Sequence, residues 1–264
     1  MKKKLVSIAL ACCMLCFGAL ALTACGGSAA SSSSAAGNNA PEDNIFIVGF
    51  DQSYPPYGFV GDDGKFTGFD LDLAQAVCDK NGWELKLSAI DWDAKDALLA
   101  QGNINCIWNG FTMEGREDGY TFSDPYMLNE QVIVVKAGSD ISDFAGLSGK
   151  TVMTQVDSAA LDVLEGDQAE VAATFKGGAA QTIGDYNNAF MQLDSGMIDA
   201  VACDLSIAQY QIAANPDKYV QLSTPLSTEH YAVGFKKGDT ELAQKVSETL
   251  KQLDADGTVK RAYI

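Results

Sequence analysis

Short runs of β-forming residues alternate with amphipathic helical segments along most of the chain, and this alternation constrains the fold more than any other feature. Residues 45–50 have the composition of a buried strand, and a helix follows, with Asp70 as its predicted N-cap and Asn81-Gly82 as its stop. Further strands are predicted at 83–87, 104–108, 131–135, 151–154, 171–175, 198–202 and 231–235, and further helices at 93–101, 158–164, 187–193, 206–213 and 241–253. Such alternation is typical of α/β proteins, in which helices cover mainly parallel sheets.

The pattern runs through two sets of elements, and the second set starts after the long β run at 131–135. The late strand at 231–235 returns the chain to the first set, so the sequence predicts two lobes with two crossings between them. We expect lobe 1 to contain residues 44–130 and 231–264, and lobe 2 to contain residues 131–230 with the hinge segments. Ligands of such sheets bind outside the carboxyl ends of strands, so the loops there are the expected place for a site.

The first 24 residues have the composition of a secretory signal peptide. Three lysines at positions 2–4 precede an uncharged apolar run that ends at Leu22-Thr23-Ala24-Cys25,. This ending resembles the lipobox of bacterial lipoproteins, in which Cys25 becomes the first mature residue and carries lipid. The apolar run is also close to the length of a membrane-spanning anchor. Residues 26–39, however, are only Gly, Ser, Ala and Asn, which favours a flexible tether at 25–43,.

Charge and cysteine usage exclude several classes of function. The net charge of -17 argues against nucleic-acid binding, which needs clustered Lys and Arg,. Cys78, Cys106 and Cys203 remain after the signal and the predicted lipid site, and their apolar surroundings predict buried free thiols. With His230 as the sole histidine and no obvious partner for it, the sequence gives no reason to expect a metal site or a cofactor,.

Two charged residues follow predicted strands and are candidates for binding a ligand. Arg116 ends a glycine-containing loop, and its guanidinium is suited to a carboxylate; the alternative is a surface arginine paired with Glu114 or Glu117. Asp204 follows the strand at 198–202 and is suited to an ammonium group, while the alternative is that it caps the next helix.

Four further residues lie in comparable loops. Tyr54 and Trp92 offer aromatic faces to a ligand, with core packing as the alternative, and Asp51 lies close to Tyr54 in sequence. Ser158 begins a predicted helix, where its hydroxyl and the free N–H groups suit an anion; the alternative is an ordinary N-cap.

Several strings, in order along the chain, resemble the polar amino-acid-binding family of bacterial ABC-transporter solute-binding lipoproteins. The first is VGFDQSYPPYGF at residues 48–59, and the others are residues 68–74, 122–126, 147–150 and 195–200. The resemblance implies a type II periplasmic-binding-protein fold: α/β, with two hinged lobes, each a helix-covered sheet, joined by two crossover strands. The ligand core of glutamate receptors has a similar plan.

The resemblance also implies roles for individual residues. Arg116, Thr112 and the backbone at Gly110 would bind the α-carboxylate of an amino acid, aided by Ser158, and Asp204 would bind its α-ammonium. The side chain would lie between Tyr54 and Trp92, with its polar end at Asp51, Asn109 and Gln155. The chain departs from the family pattern in two places, since the loop at 110–116 is one residue shorter and residues 157–160 replace a Gly-Thr-Thr-like string.

The implied function is that of an extracytoplasmic lipoprotein, anchored to the cell membrane at Cys25, that delivers a polar L-amino acid to the permease of an ABC importer. We expect a monomer that binds no nucleic acid and has no catalytic activity. One alternative is a sensory or adhesive surface protein. Another is a dehydratase-like or transglycosylase-like enzyme, for which Glu114 is the nearest acid. Because Asp51 faces the predicted side-chain end, neutral polar and basic ligands rank above acidic ones.

Overall fold

The computed structural model describes residues 41–262, so the predicted signal peptide, Cys25 and most of the predicted tether lie outside the described residues. The described chain forms two large sheets with helices packed on them, as predicted for this fold class. No helix within this range is both long and apolar enough to cross a bilayer.

The first sheet contains the amino-terminal strands and a strand that returns from late in the chain. Its members are β1 (Ile45–Phe50), β5 (Glu84–Ala89), β6 (Cys106–Ile107), β7 (Tyr120–Phe122) and β14 (Gly234–Lys236), in the order β5-β1-β6-β14-β7. Strand β1 is parallel to β5 and β6, while β14 is antiparallel to β6 and β7. A small antiparallel sheet of β2 (Ser53–Tyr54), β3 (Gly58–Val60) and β4 (Phe66–Thr67) follows β1.

The second sheet is built around one long strand. Its members are β8 (Met127–Lys136), β9 (Val152–Gln155), β10 (Gln181–Ile183), β11 (Ala200–Asp204), β12 (Tyr219–Gln221) and β13 (Ser227–Tyr231). The order is β10-β9-β11-β8-β12, and β13 pairs with the first half of β8. Strands β8 and β13 adjoin the first sheet, and Tyr231 at the end of β13 bridges to Thr112.

Helices cover both sheets. They are α1 (Phe69–Asn81), α2 (Lys95–Ala100), α3 (Ala159–Glu165), α4 (Ala169–Ala172), α5 (Tyr186–Ser195), α6 (Leu205–Ala214), α7 (Thr240–Ala255) and α8 (Thr258–Ala262), with short 3-10 helices at Glu42–Asn44, Trp92–Ala94 and Ala145–Leu147. Leu73 and Val77 of α1 lie in one core cluster with Val246 and Leu250 of α7. Cys78, Cys106 and Cys203 are buried and free, which confirms the prediction for the cysteines.

Three local predictions are wrong. The segment 171–175 is not a strand, because its alanine-rich start forms α4, and the edge strand of this sheet is β10. The run at 231–235 is split, because the chain passes there from the second sheet to the first. Gly68, not Asp70, is the N-cap of α1, and the buried Asp70 carboxylate instead accepts the N–H of Gly110.

Candidate functional site

The loops after the strands of the first sheet meet those of the second sheet, and the residues predicted from the sequence lie along this boundary. The amide of Gln155 donates to Asp51 Oδ2 at 2.7 Å, and the indole N–H of Trp92 donates to the carbonyl oxygen of Asp157 at 3.1 Å. Because these pairs join the two sheets directly, the carboxyl ends of their strands form the two walls of one cleft.

Asp51 and Gln155 form one end of the cleft. The second Asp51 oxygen accepts the N–H of Ser53 at 2.8 Å, and Gln155 also donates to the carbonyl of Gly184 at 2.9 Å. Burial raises the pKa of Asp51, although the hydrogen bonds that it accepts from Ser53 and Gln155 oppose that shift,. The hydrogen bonds to Asp51 and Gly184 use both N–H groups of the Gln155 amide, so the group that this end of the cleft presents to a ligand is chiefly the Asp51 carboxylate,.

Asp157 contacts several side chains from the first-sheet side of the cleft, although its only predicted significance was as part of a departure from the family pattern. Its carboxylate lies 3.3 Å from Lys95 Nζ, and its carbonyl accepts from Trp92 and from Arg116. Lys95 is 3% exposed, and its Nζ lies 5.3 Å from the centroid of the Trp92 ring. Asp157 has a φ of 54°, a conformation that Asp tolerates better than most residues,. We call Lys95, Trp92, Arg116 and Asp157 the interlobe clasp.

Arg116 lies against the ring of Phe111, with its guanidinium carbon 5.0 Å from the centroid. Its Nη2 donates to Asp162 Oδ2 at 2.7 Å and to the carbonyl of Asp157 at 3.2 Å. The alternative pairing with Glu114 or Glu117 is therefore wrong. The contacts of Arg116 use one of its three nitrogens, and a guanidinium has five N–H donors in all.

Glu114 pairs instead with His230. Glu114 Oε2 accepts the backbone N–H of His230 at 2.8 Å, and Oε1 lies 2.7 Å from the ring Nδ1. Strand β13 brings Glu114 and His230 together, because it runs beside the loop at 110–116. The carbonyl oxygen of His230 there accepts the N–H of Met113.

Asp204 lies at the carboxyl end of β11 and is 3% exposed. It occupies the N-cap position of α6, but its side chain makes no capping bond. Its Oδ1 instead accepts from Tyr231 Oη at 2.6 Å, Gln131 Nε2 at 2.7 Å and Asn129 Nδ2 at 3.0 Å. Burial raises the pKa of Asp204, and the hydrogen bonds from Tyr231, Tyr54 and Gln131 oppose the shift,.

A second buried carboxylate, Glu229, lies beside Asp204, and sequence reasoning missed it. Its Oε1 accepts from Thr112 Oγ1 at 2.7 Å, and also from Gln131 at 2.7 Å and Asn129 at 2.9 Å. Burial, together with the charge of Asp204, raises the pKa of Glu229 to about 7. The available signal was the pair of amides at positions 129 and 131, just before an apolar run, since alternate residues share one face of a sheet,.

Gly110 and Asn109 lie next to this polar group. Gly110 has a φ of 56°, and a Cβ there would lie 3.1 Å from the Tyr231 ring and 3.2 Å from the Tyr54 ring. Asn109 is 1% exposed, and neither atom of its side-chain amide has a hydrogen-bond partner among the described residues. An unpaired buried amide is costly, so Asn109 marks a position where a further polar group belongs.

Ser158 is the N-cap of α3, which confirms the alternative prediction of an ordinary helix cap. Its Oγ accepts the N–H of Leu161 at 3.1 Å and lies 3.1 Å from Thr154 Oγ1. The ring of Tyr54 packs 5.9 Å from that of Tyr186, which lies on the same side of the cleft as Thr154.

A cavity of about 370 Å³ opens between these elements. Its lining includes Thr112, Glu229 and Ala159, which is the first residue of α3, and also the exposed carboxylates of Glu114, Asp162 and Asp167. The volume is within the range of small-molecule sites, and every charged residue on the lining is acidic,. The arrangement therefore suits a small ligand that carries a positive group.

Comparison with known proteins gives a consistent group of relatives. The sequence profile of the bacterial extracellular solute-binding proteins, family 3, matches residues 46–264. The L-cystine-binding protein TcyJ of Escherichia coli (strain K12) is 28% identical over 226 residues, which make up 84% of this chain and 82% of that protein.

Two solved structures extend the comparison to the fold. An ABC uptake transporter substrate-binding protein of Streptococcus pneumoniae with bound histidine has a TM-score of 0.80 and 34% identity, over 84% of this chain and 91% of its own. The arginine-, lysine-, histidine-binding protein ArtJ of Geobacillus stearothermophilus has a TM-score of 0.75 and 31% identity, over 83% and 93% of the two chains. Because each match covers more than four fifths of this chain, it includes elements of both sheets.

Proposed function

Because this chain belongs to family 3 of the bacterial extracellular solute-binding proteins, we propose that it captures a polar L-amino acid between two lobes and delivers it to the permease of an ABC importer. The observation that carries the proposal is the convergence of Asp51, Asn109, Gln155 and Asp204 on one cleft between the two sheets. Relatives named for binding cystine, histidine and arginine support an amino-acid ligand.

We assign the ends of the ligand as follows. Asp204 holds the α-ammonium, because a buried carboxylate binds an ammonium through charge-assisted hydrogen bonds. The α-carboxylate binds the Arg116 donors that Asp162 and Asp157 leave unused, close to Ser158. The N–H of Gly110 and the hydroxyl of Thr112 join them only by exchanging their present bonds to Asp70 and Glu229. Tyr54 and Trp92 flank the side chain.

The side-chain end of the ligand meets Asp51, Asn109 and Gln155. Asp51 disfavours an acidic side chain, and the unpaired Asn109 amide can accept from and donate to neutral polar groups,. A neutral polar, cystine-like or basic amino acid therefore ranks above glutamate or aspartate.

The cellular setting is also a proposal. The segment 1–24 directs export and is removed, Cys25 carries lipid, and residues 25–43 tether the binding domain to the outer face of the cell membrane. The domain consists of lobe 1, at 44–130 and 231–264, and lobe 2, at 131–230. It acts as a monomer, has no catalytic activity, and contacts the membrane only through its lipid and its permease.

Calorimetric titration of the mature domain with arginine, lysine, histidine, glutamine, cystine and glutamate tests this function. We expect binding of at least one basic or neutral polar amino acid, and weak binding of glutamate. The Asp204→Asn variant should lose at least about tenfold in affinity, because it removes the charge that faces the ammonium.

The matched control is Asp194→Asn, which removes an aspartate that pairs with Lys218 on the exposed side of α5. It should bind like the wild type. Folded protein that binds none of these amino acids would overturn the proposed function, and glutamate as the tightest ligand would overturn the ranking of side chains.

A further inference from the structure

We infer that Glu229 is a second carboxylate of the ligand site, which receives the ammonium group of the ligand together with Asp204 and gives up a proton to solvent as that group enters. The inference rests on the proposed function, since it takes an amine-bearing ligand as its starting point. It adds to the site a residue on one of the strands that connect the two sheets.

The two carboxylates are held together by shared donors. Gln131 Nε2 lies 2.7 Å from Asp204 Oδ1 and 2.7 Å from Glu229 Oε1, and Asn129 Nδ2 lies 3.0 Å and 2.9 Å from the same two oxygens. The strand register enforces this arrangement, because Asp204 is opposite Gln131 and Glu229 is opposite Asn129 on one face of the sheet. The pairing of β8, β11 and β13 therefore places the two carboxylates side by side.

No positive side chain balances these two acids. Among residues 41–262, none of the ion pairs includes Asp204 or Glu229. The other titratable groups that face Asp204 are Tyr54, Tyr186, Tyr231 and Cys203, and burial raises the pKa of each well above its usual value, so all four are neutral near pH 7.

Two carboxylates in one buried place resist joint ionisation, so the pair retains a proton near neutral pH. Burial and the charge of Asp204 raise the pKa of Glu229 to about 7, which agrees with this argument. An arriving ammonium supplies the missing positive charge and stabilises the doubly ionised pair, and the retained proton then leaves.

A ligand can reach this pair from the side of Glu229, while Asp204 lies behind it and is not among the residues that line the cavity. Glu229 lines the 370 Å³ cavity together with Thr112 and Ser227, and the other charged groups on that lining are the carboxylates of Glu114, Asp162 and Asp167. Two acceptors at the same place have no partner among the described residues, namely Oε1 of the fully buried Gln131 and Oγ of Ser227. An ammonium has three N–H donors, which two carboxylates and one such oxygen satisfy.

Proton release on binding tests the inference directly. L-arginine is titrated into the domain in two buffers of different ionisation enthalpy, and L-glutamine replaces it if arginine does not bind. Neither amino acid titrates between about pH 5.5 and pH 8. We expect release of up to about one proton near pH 6 to 7 and almost none near pH 8.5, with affinity rising up to about tenfold per pH unit until it levels off above pH 7.

Glu229→Gln should remove most of this pH dependence. Its affinity should be about tenfold or more below that of the wild type near pH 8, and the two should converge near pH 5.5, where Glu229 is already protonated. The control is Glu130→Gln, which removes the neighbouring acid on the opposite face of β8 and should keep the wild-type profile. Binding without proton release, or an unchanged profile in Glu229→Gln, would overturn the inference and leave the proposed function intact.

The domain without added amino acid supplies an independent measurement. Because the pKa of Glu229 in the folded chain lies above its unfolded value, the stability that its proton confers is lost as pH rises from about 4.5 to about 7,. The melting temperature should therefore fall across this range more in the wild type and in Glu130→Gln than in Glu229→Gln. Equal slopes would overturn the inference even if no amino acid bound.

Discussion

At the scale of single residues, Asp70 is a carboxylate in a place where its charge is costly. It is completely buried, and it accepts the N–H of Gly110 and the hydroxyl of Tyr126 at 2.9 Å. Burial raises its pKa to about 7, and the hydrogen bonds only partly offset that shift. Asp70 thereby connects the start of α1 to the loop that carries much of the proposed ligand site.

The Asp70→Asn variant should differ from the wild type in its pH dependence. Since the folded pKa is raised, the wild type loses stability as pH rises from about 4 to about 7, and the variant does not. Relative to the variant, the free energy of unfolding of the wild type should fall by roughly 2–3 kcal/mol between pH 5 and pH 8. Urea unfolding at both pH values measures this difference. Asp79→Asn, on the exposed side of α1, is the control, and parallel curves for all three proteins would contradict the prediction.

The ion pair of the interlobe clasp joins a buried amine to a half-exposed carboxylate. The side chain of Lys95 is 4% exposed and that of Asp157 is 47% exposed. Removal of the acid leaves a buried charge poorly paired, so Asp157→Asn should cost about 1–2 kcal/mol of stability, less than for a fully buried pair.

A double-mutant cycle with Lys95→Met separates the pair from other effects, and we expect a coupling energy of about 1 kcal/mol in urea unfolding. The exposed pair of Lys150 and Asp140 is the comparison, and its cycle should give less than about 0.5 kcal/mol,. Equal coupling in the two cycles would mean that the clasp contributes no more than a surface ion pair.

At the scale of elements, the loop from Gly110 to Arg116 contains two glycines with positive φ that differ in their surroundings. A Cβ at Gly115, where φ is 77°, meets no atom within 4 Å, whereas one at Gly110 meets the rings of Tyr231 and Tyr54 at 3.1 and 3.2 Å. Gly115→Ala should therefore cost only the backbone strain, about 1 kcal/mol. Gly110→Ala should cost about 1–3 kcal/mol more, because it must also displace an aromatic ring.

Thermal and urea unfolding measure both costs, and titration with the bound amino acid measures the effect on the site. Gly110→Ala should also weaken binding, because the Asp70 contact and the rings around Gly110 set the position of the loop. Gly115→Ala should bind nearly as the wild type does. Similar losses in the two variants would show that packing against the tyrosines adds nothing.

Elements with a continuous apolar sequence are the ones that the sequence predicts well. The predicted bounds of β1 match the structure, because a strand buried between two neighbours is apolar along its length,. The edge strand β10 is missed, because its exposed residues, Gln181 and Thr182, carry no such signal. The split between β13 and β14 is missed because the run at 231–235, which contains it, is buried and apolar throughout, and only the pairing partners reveal it.

A position at the cleft was predictable where a residue ends or follows a strand, as Asp204 and Asp51 do. The resemblance to a known family supplied the roles of these residues. Contacts that depend on long-range pairing were not predictable from local pattern. Glu229 meets Asp204 only through the register of β8 and β13, and Lys95 meets Asp157 only when the two sheets come together.

At the scale of the whole molecule, the proposed lobes touch through a few contacts near the cleft. They include the clasp, the hydrogen bond between Asp51 and Gln155, and the rings of Phe59 and Tyr210, whose centroids lie 6.1 Å apart. Rotation about β8 and β13 would break all of them together while each sheet stayed intact. A ligand that contacts both walls stabilises the closed arrangement, because it makes its full set of contacts only there.

We therefore expect the bound amino acid to reduce the radius of gyration in small-angle scattering and to raise the melting temperature. Mass action sets the scale, since a ligand at one hundred times its Kd adds about 2.7 kcal/mol to the free energy of unfolding. Asp157→Ala should enlarge the change in radius, because without its part of the clasp more of the unliganded population is open. Asp204→Asn should show little change at the same amino-acid concentration, because it binds poorly. A saturated wild type whose radius stays constant while its melting temperature rises would mean that the ligand binds without moving the lobes, and the hinged mechanism would then be wrong although the binding function stands.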